Sequence, residues 1–282
     1  MRKLRLYLLT ICFSSSVAAS ELHQRLAEIE SRVEGRIGIA FVDSATGFRW
    51  SYRGNETFPV LSTFKPLACA KLLHDMDSGQ LNHDQSAYIK RDDIVEWSPV
   101  TKELTNSQIS LISACEAALS MSDNTATNIV LNNIGGPDAL NQFLRKVGDK
   151  STRLDDLEPF INQVKERENT TTPVAMTNTM SHLFLGEGLS EGAQKTILGW
   201  MERNRVSMAL LRSVLPYGWS IADRSGSGSK GSRGITALIW KETRKPLVMS
   251  IYVTETNLTL SDRNQLIADI GEVIFSTIDV RP

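Results

Sequence analysis

A serine and a lysine three residues apart give this chain a candidate nucleophilic centre. Ser62 and Lys65 begin a segment whose apolar residues recur at helical spacing, and residues three apart on a helix lie one turn above each other. The lysine ammonium therefore comes within reach of the serine hydroxyl, and the N–H groups at a helix N-terminus favour a developing oxyanion. The same spacing recurs at Ser227 and Lys230, so spacing alone favours a helix-capping serine beside a solvated lysine over a catalytic pair.

Three further polar elements follow in chain order. Ser122-Asp123-Asn124 stands between two helical segments, and Glu158 to Asn162 forms a loop in which a carboxylate and an amide could grip one water. Arg224-Ser225-Gly226 ends a strand-like run and begins a glycine-rich turn. Each element alone also fits an ordinary loop, a solvated glutamate or a hairpin turn. Their order is more informative, because S-x-x-K, S-D-N and K-T-G together are typical of class A β-lactamases and penicillin-binding proteins.

On these elements the chain resembles the class A serine β-lactamases, and most of all the carbenicillin-hydrolysing penicillinases, which carry R-S-G in place of K-T-G. The resemblance extends from about Leu22 to Ile278 and includes the stretches ACAKLL, SDNTATN and LLRSVLPYGW. It implies a hydrolase that opens the β-lactam ring of penicillins, carboxypenicillins included, and of some cephalosporins through a serine acyl-enzyme, and so confers antibiotic resistance. The implied ligands are β-lactam antibiotics and mechanism-based inhibitors, with no cofactor.

The resemblance implies a catalytic role for several positions. Ser62 would attack the lactam carbonyl, Lys65 would manage the proton of Ser62, and Ser122 would pass a proton to the leaving ring nitrogen. The backbone N–H groups of Ser62 and Ser227 would form the oxyanion hole. Glu158 would deprotonate the water that it holds with Asn162, and this water would hydrolyse the acyl-serine ester. Whether Lys65 or Glu158 is the base for acylation stays open at this point.

The same resemblance implies a set of substrate-binding positions. Asn124 would hold the amide of the acyl side chain, and Trp97 could stack on substrate, although partial burial explains that residue equally well. A guanidinium paired with a hydroxyl suits the substrate carboxylate. The positions assigned to substrate binding are Asn124, Arg224, Ser225, Gly226, Ser227, Arg233 and Trp97.

Two other functional classes share the serine and lysine chemistry. A covalent β-lactam receptor binds the drug and keeps it, and a peptidoglycan DD-peptidase acts on the cell wall. Receptors are tethered and lack the pair that holds the water. The presence of Glu158 and Asn162 and the short N-terminal apolar segment therefore favour the hydrolase.

The loop that contains Glu158 departs from the family pattern. Family members usually brace it with an Arg to Asp ion pair, but the aligned positions here are Asp156 and Asn169, and the segment 162–173 is slightly shorter. A hydrogen bond between these two side chains could replace the pair without its charge. We therefore predict a less rigid loop, with some tolerance for bulkier oxyimino cephalosporins.

Composition and the N-terminus predict an exported globular protein. The chain has 282 residues with 31 basic and 32 acidic side chains, a balance that disfavours nucleic-acid binding. Basic residues, an apolar run at Leu6 to Phe13 and small residues up to Ala19 predict a signal peptide over 1–19, with a retained anchor as the alternative. The expected mature protein is a periplasmic monomer without membrane contact.

The cysteines and histidines indicate whether the protein could have a disulfide or a metal site. Removal of the signal peptide leaves Cys69 and Cys115, which in an oxidising compartment suggest one disulfide, although two buried free thiols are the alternative. In family members with this pair, the bridge joins the two active-site helices. The four histidines lack any metal-ligand spacing, so no metal site is predicted.

The order of periodic segments predicts a mixed α/β fold of the α+β class with two lobes. A five-stranded antiparallel sheet flanked by helices would be built from both ends of the chain, and an all-helical lobe from its middle, with the active site in the cleft between them. The predicted boundaries are 20–60 and 204–282 for the lobe with the sheet and 61–203 for the helical lobe. The predicted elements are a helix over 21–35, strands over Ile37–Val42, Phe48–Tyr52, Trp219–Asp223, Ile235–Trp240 and Leu247–Thr254, and a last helix over Leu260–Ile278.

Overall fold

A computed structural model describes residues 19–165 and 168–279 of the chain. The predicted signal peptide lies outside the described residues except for residue 19, which is the first described residue and is helical. Within the described ranges, no helix has both the length and the apolar character needed to cross a membrane.

A five-stranded antiparallel sheet is built from strands at the two ends of the chain. In sequence order its strands are β1 (Arg36–Asp43), β2 (Arg49–Tyr52), β7 (Ser220–Gly228), β8 (Ser232–Lys241) and β9 (Arg244–Thr254). They lie side by side in the order β2-β1-β9-β8-β7. The first strand therefore pairs with the last, with Ile37 opposite Val253 and Phe41 opposite Met249.

The two faces of the sheet bury different parts of the molecule. Along β9, Met249 and Ile251 belong to a core shared with helices α1 (19–30) and α8 (Leu260–Asp279), whereas Val248 and Tyr252 belong to the core of the helical lobe. Successive side chains of a strand point to opposite faces, so one strand contributes to both cores.

In the described part of the chain, six α-helices between β2 and β7 form the helical lobe. They are α2 (Lys65–Asp77), α3 (Leu111–Ser120), α4 (Asn124–Asn133), α5 (Gly136–Lys146), α6 (Pro173–Leu185) and α7 (Glu191–Glu202). Two short antiparallel pairs accompany them, β3 (Phe58–Pro59) with β6 (Thr170–Thr171) and β4 (Ser86–Tyr88) with β5 (Gln108–Ser110). Helix α2 is buried along nearly its whole length, and a disulfide between Cys69 and Cys115 joins it to α3 over a Cα distance of 5.7 Å. The suggested disulfide is therefore confirmed.

The structure confirms the predicted α+β class and the five-stranded antiparallel sheet. Two local expectations are wrong. The first helix ends at residue 30 rather than at Gly35, because residues 31–35 form turns that lead into β1. The predicted turn after Asp223 is strand as far as Gly228, because this stretch pairs residue by residue with β8. The boundaries of the two lobes stay a prediction.

Candidate active site

Ser62 lies on a single turn of 3₁₀ helix (Leu61–Phe64) that runs directly into α2. Its side chain is buried, and Ser62 Oγ donates to Glu158 Oε1 at 3.4 Å. The next residue fixes this turn, because Thr63 Oγ1 donates to the Val60 carbonyl at 2.5 Å and receives the hydroxyl of Tyr252 on β9 at 2.8 Å. The sheet thereby holds the turn that carries the candidate nucleophile.

Lys65 is fully buried at the centre of the site. Its ammonium donates to Asn124 Oδ1 at 2.7 Å, to the Ser122 carbonyl at 3.0 Å and to Ser122 Oγ at 3.2 Å, and lies 3.3 Å from Glu158 Oε1. Burial lowers the pKa of Lys65 to about 8, with the charge of Glu158 opposing this effect. The expected direct contact between Lys65 and Ser62 is not found among the described residues, because Glu158 Oε1 lies within 3.4 Å of Ser62 Oγ and 3.3 Å of Lys65 Nζ and contacts both side chains instead.

The turn between α3 and α4 presents Ser122 and Asn124 to Lys65. Ser122 takes a left-handed φ of 60°, and the buried carboxylate of Asp123 caps α4 by accepting from Ala126 N. The same carboxylate accepts three hydrogen bonds from Val100 N, Thr101 N and Thr101 Oγ1, at 2.7 to 2.8 Å. A carboxylate shared in this way makes the turn rigid.

Glu158 is held at both its backbone and its side chain. Asn128 on α4 accepts from Glu158 N at 2.9 Å and donates to the Glu158 carbonyl at 2.8 Å. Asn162 Nδ2 donates to Glu158 Oε2 at 2.6 Å. One carboxylate oxygen thus faces Ser62 and Lys65, and the other is fixed by the amide of Asn162.

The loop around Glu158 is braced by Asn169. Its amide donates to Asp156 Oδ2 at 2.9 Å, which is the hydrogen bond expected from the sequence, and its Oδ1 accepts from Asp155 N and Asp156 N. Lys165 adds an ion pair to Asp156 at 3.2 Å, but this lysine is exposed and water screens the pair. The brace therefore depends mainly on Asn169, and the predicted tolerance for oxyimino cephalosporins stays a prediction.

The edge strand β7 approaches the Ser62 turn closely because two of its residues are glycines. A Cβ on Gly226 would lie 2.5 Å from Ser62 N, and a Cβ on Gly228 would lie 2.6 Å from the Asn162 carbonyl. Strand β7 therefore lies directly against both the candidate nucleophile and the loop of Glu158. Ser227 lies between these glycines on the same edge.

The two arginines assigned to the substrate carboxylate differ in what they contact. Arg224 is almost completely buried and donates to Leu119 O, Asn204 Oδ1 and Ser225 O. Arg233 donates to Asn264 Oδ1 through Nε and to Gly226 O through Nη1, and its Nη2 makes no hydrogen bond to the described residues. Burial lowers the pKa of each guanidinium to about 10, so both stay charged at neutral pH.

A cavity of about 850 Å³ is lined by most of the predicted site residues, but its described lining does not include the buried side chains of Lys65 and Glu158. Two buried polar atoms, Asn162 Oδ1 and Ser225 Oγ, have no protein partner within the described part of the chain. Trp97 is 59% exposed and donates through Nε1 to the Met121 carbonyl. The lining includes the predicted positions Ser62, Trp97, Ser122, Asn124, Asn162, Arg224, Ser225, Gly226, Ser227 and Arg233.

Several residues of the site were not predicted from the sequence. Asn128 holds the backbone of Glu158, and Asn204 links Arg224 to Asp223, which itself forms a buried ion pair with Arg212 at 2.5 Å. Buried polar residues need partners, so a search for Asn and Asp at core positions would have found candidates. Within 19–165 and 168–279, no group of three or more His, Cys, Asp or Glu side chains could hold a metal ion.

Comparison with known proteins gives consistent matches along nearly the whole chain. Residues 21–278 match the model of the Beta-lactamase enzyme family. Beta-lactamase CARB-4 of Pseudomonas aeruginosa is 45% identical over 268 residues, which cover 94% of this chain and 93% of that protein. Beta-lactamase PSE-1 of the same organism is 44% identical with the same coverage. The crystal structure of the chromosome-encoded beta-lactamase of Vibrio parahaemolyticus is 52% identical with a TM-score of 0.90, and the match covers 92% of this chain and 99% of that one.

Proposed function

The chain belongs to the class A β-lactamases, and from this premise we propose how its residues divide the work of opening a β-lactam ring. It is a serine β-lactamase, a hydrolase that opens the ring of penicillins through an acyl-enzyme and so confers resistance. The resemblance inferred from the motifs is confirmed. The roles of individual residues are the proposal that follows.

In the first step, Ser62 Oγ attacks the lactam carbonyl and forms the acyl-enzyme. Neutral Lys65 accepts the proton of Ser62, and the N–H groups of Ser62 and Ser227 stabilise the oxyanion. Ser122 then donates its proton to the ring nitrogen as the C–N bond breaks, and Lys65 returns a proton to Ser122. The distance of 3.2 Å between Lys65 Nζ and Ser122 Oγ supports this relay.

In the second step, a water held by Glu158 and Asn162 hydrolyses the ester. Glu158 removes a proton from the water as the water oxygen attacks the acyl carbon, the ester C–O bond to Ser62 then breaks, and the departing Ser62 alkoxide takes up this proton from Glu158, which becomes a carboxylate again. The observation that carries this assignment is the position of Glu158, whose Oε1 lies 3.4 Å from Ser62 Oγ while Oε2 is fixed by Asn162. Asn162 Oδ1, buried and without a protein partner among the described residues, supplies a further acceptor for the water.

Substrate binding divides between direct and indirect contacts. Arg233 Nη2 and Ser225 Oγ, which have no hydrogen-bond partner among the described residues, bind the substrate carboxylate directly, since the Arg224 guanidinium already donates to Leu119 O, Asn204 Oδ1 and Ser225 O. Arg224 contributes its buried positive charge. Asn124 holds the amide of the acyl side chain, and Trp97 stacks on the substrate from the rim of the cavity.

The proposed range of substrates is penicillins, including carboxypenicillins, and some cephalosporins. Mechanism-based β-lactamase inhibitors are further expected ligands, because they acylate the same serine. The signal-like N-terminus supports export to the periplasm, and the expected mature protein is a monomer.

A titration of acylation tests the role of Lys65. Because its pKa is about 8, we expect the pre-steady-state acylation rate to rise by about tenfold per pH unit below that value and to level off above it. Stopped-flow measurement with a slowly released penicillin gives the rate directly. A rate that stays flat between roughly pH 6 and 9 would contradict proton acceptance by Lys65.

Nitrocefin turnover tests the full two-step proposal. We expect sustained hydrolysis by the wild-type enzyme, and a Ser62→Ala variant with neither turnover nor a covalent adduct in the intact mass. A burst of one equivalent followed by no further hydrolysis would indicate a receptor that keeps the drug. Turnover of peptidoglycan-like D-alanyl peptides at a rate comparable to that of nitrocefin would indicate a DD-peptidase.

A further inference from the structure

Ser229 ties the loop of Glu158 to the sheet. It follows Gly228 at the end of β7, and its N–H donates to the Asn162 carbonyl at 3.0 Å. Its hydroxyl accepts from Val164 N at 2.8 Å, so one residue binds the loop at two points two residues apart. Ser229 is itself held in the hairpin turn, because its carbonyl accepts from Ser232 N at 3.1 Å.

The contact with Ser229 affects the position of the Asn162 amide more than the positions of the other site residues. Asn128 holds the backbone of Glu158 from α4, but the Asn162 carbonyl is held from β7 by Ser229. The side chain of Asn162 in turn fixes Glu158 Oε2 at 2.6 Å. The Ser229 hydroxyl therefore keeps the loop segment 162–164 against the sheet and thereby sets where this amide points.

The hydrogen bonds of the acylation residues do not pass through Ser229. Lys65 contacts Ser122, Asn124 and Glu158, all of which are supported from within the helical lobe. Release of the loop from Ser229 would therefore leave the attack of Ser62 largely unchanged. It would disturb the place where the hydrolytic water is held.

We propose that Ser229 is a positioning residue for deacylation, acting through Asn162. This inference rests on the proposed roles of Glu158 and Asn162 in the second step. Loss of the serine hydroxyl would let the loop move away from β7, so that the amide holds the water in the attacking geometry for a smaller fraction of time. Deacylation would slow while acylation continues, which distinguishes this role from a direct contact with substrate.

The test compares three variants by stopped-flow acylation and by the decay of the acyl-enzyme in mass spectrometry, with benzylpenicillin as substrate. In Ser229→Ala we expect the deacylation rate to fall by roughly fivefold, with acylation changed by less than about twofold. Ser229→Thr keeps a hydroxyl acceptor and should restore deacylation. Lys230→Ala changes the neighbouring exposed residue of the same turn, which makes no side-chain hydrogen bond in the described chain, and should match the wild type.

The possible results distinguish a wrong role for Ser229 from a wrong role for Glu158 in the second step. Deacylation at the wild-type rate in Ser229→Ala, or acylation slowed as much as deacylation, would overturn the role of Ser229. Failure of Ser229→Thr to restore the rate would overturn it as well. If Glu158→Gln, measured in the same way, releases product at the wild-type rate, the proposed second step itself is wrong.

Discussion

Replacing Glu158 by glutamine is expected to slow release of the acyl-enzyme by roughly a thousandfold while leaving acylation within about tenfold of the wild-type rate. Glutamine keeps the size of the side chain and can still accept from Asn162, but it cannot take a proton from water. The charge of Glu158 also raises the pKa of Lys65, so its removal lowers that pKa further and keeps Lys65 neutral for the first step. The variant should therefore capture the drug and keep it.

The adduct is the decisive measurement for this variant. Intact mass after brief exposure to benzylpenicillin should show one equivalent bound to Glu158→Gln and little bound to the wild type. Glu168→Gln is the matched control, since Glu168 is a partly exposed carboxylate of the same loop whose described partner is Lys165. Full steady-state activity in Glu158→Gln would remove this carboxylate from the mechanism.

Replacing Gly226 by alanine is expected to reduce kcat/KM by roughly a hundredfold or more, through the first step rather than the second. The new Cβ would lie 2.5 Å from Ser62 N and 2.5 Å from Leu61 Cβ, closer than non-bonded carbon atoms approach. The first of these is a backbone atom that cannot rotate away, so strand or turn must shift. The N–H proposed to stabilise the oxyanion would then lose its place.

The kinetics of nitrocefin hydrolysis and the thermal unfolding of Gly226→Ala separate loss of geometry from loss of fold. Gly192→Ala on α7 is the control, because outside its chain neighbours and the backbone of its own helix a Cβ there would meet only Ser190 Oγ, at 3.9 Å. Gly226→Ala should remain folded with a lowered acylation rate. Wild-type acylation by this variant would show that the Ser62 N–H does not take part.

Local chemistry made most of the site predictable from sequence. Ser62 and Lys65 stand three residues apart where a 3₁₀ turn leads into α2, and Glu158 and Asn162 stand four residues apart and form a direct hydrogen bond, so short-range geometry brings the members of each pair near one another. The antiparallel sheet was predictable from runs of alternating and β-branched residues between turns. These features depend on neighbours in the chain, and a single sequence displays them directly.

Long-range partners were not predictable in the same way. Asn128 contacts Glu158 across thirty positions of the chain, and nothing local to either residue indicates the pairing. The glycines of Arg224–Gly228 indicated a turn because Gly weakens isolated strands, but here they let β7 lie against Ser62. Tertiary contact outweighed local preference at that position.

Because the first strand of the sheet pairs with the last, the sheet can be completed only after nearly the whole chain has been synthesised. Strand β1 finds its partner β9 only after the intervening helical lobe has been synthesised. Such distant pairings make folding slow, because the chain must lose the conformational entropy of closing a long loop before the stabilising contacts between the strands can form. The catalytic cleft is therefore assembled late, and in a chain that lacks its last strand the first strand pairs only with β2. Premature termination anywhere before β9 leaves β1 as an open edge that invites aggregation rather than a partly active enzyme.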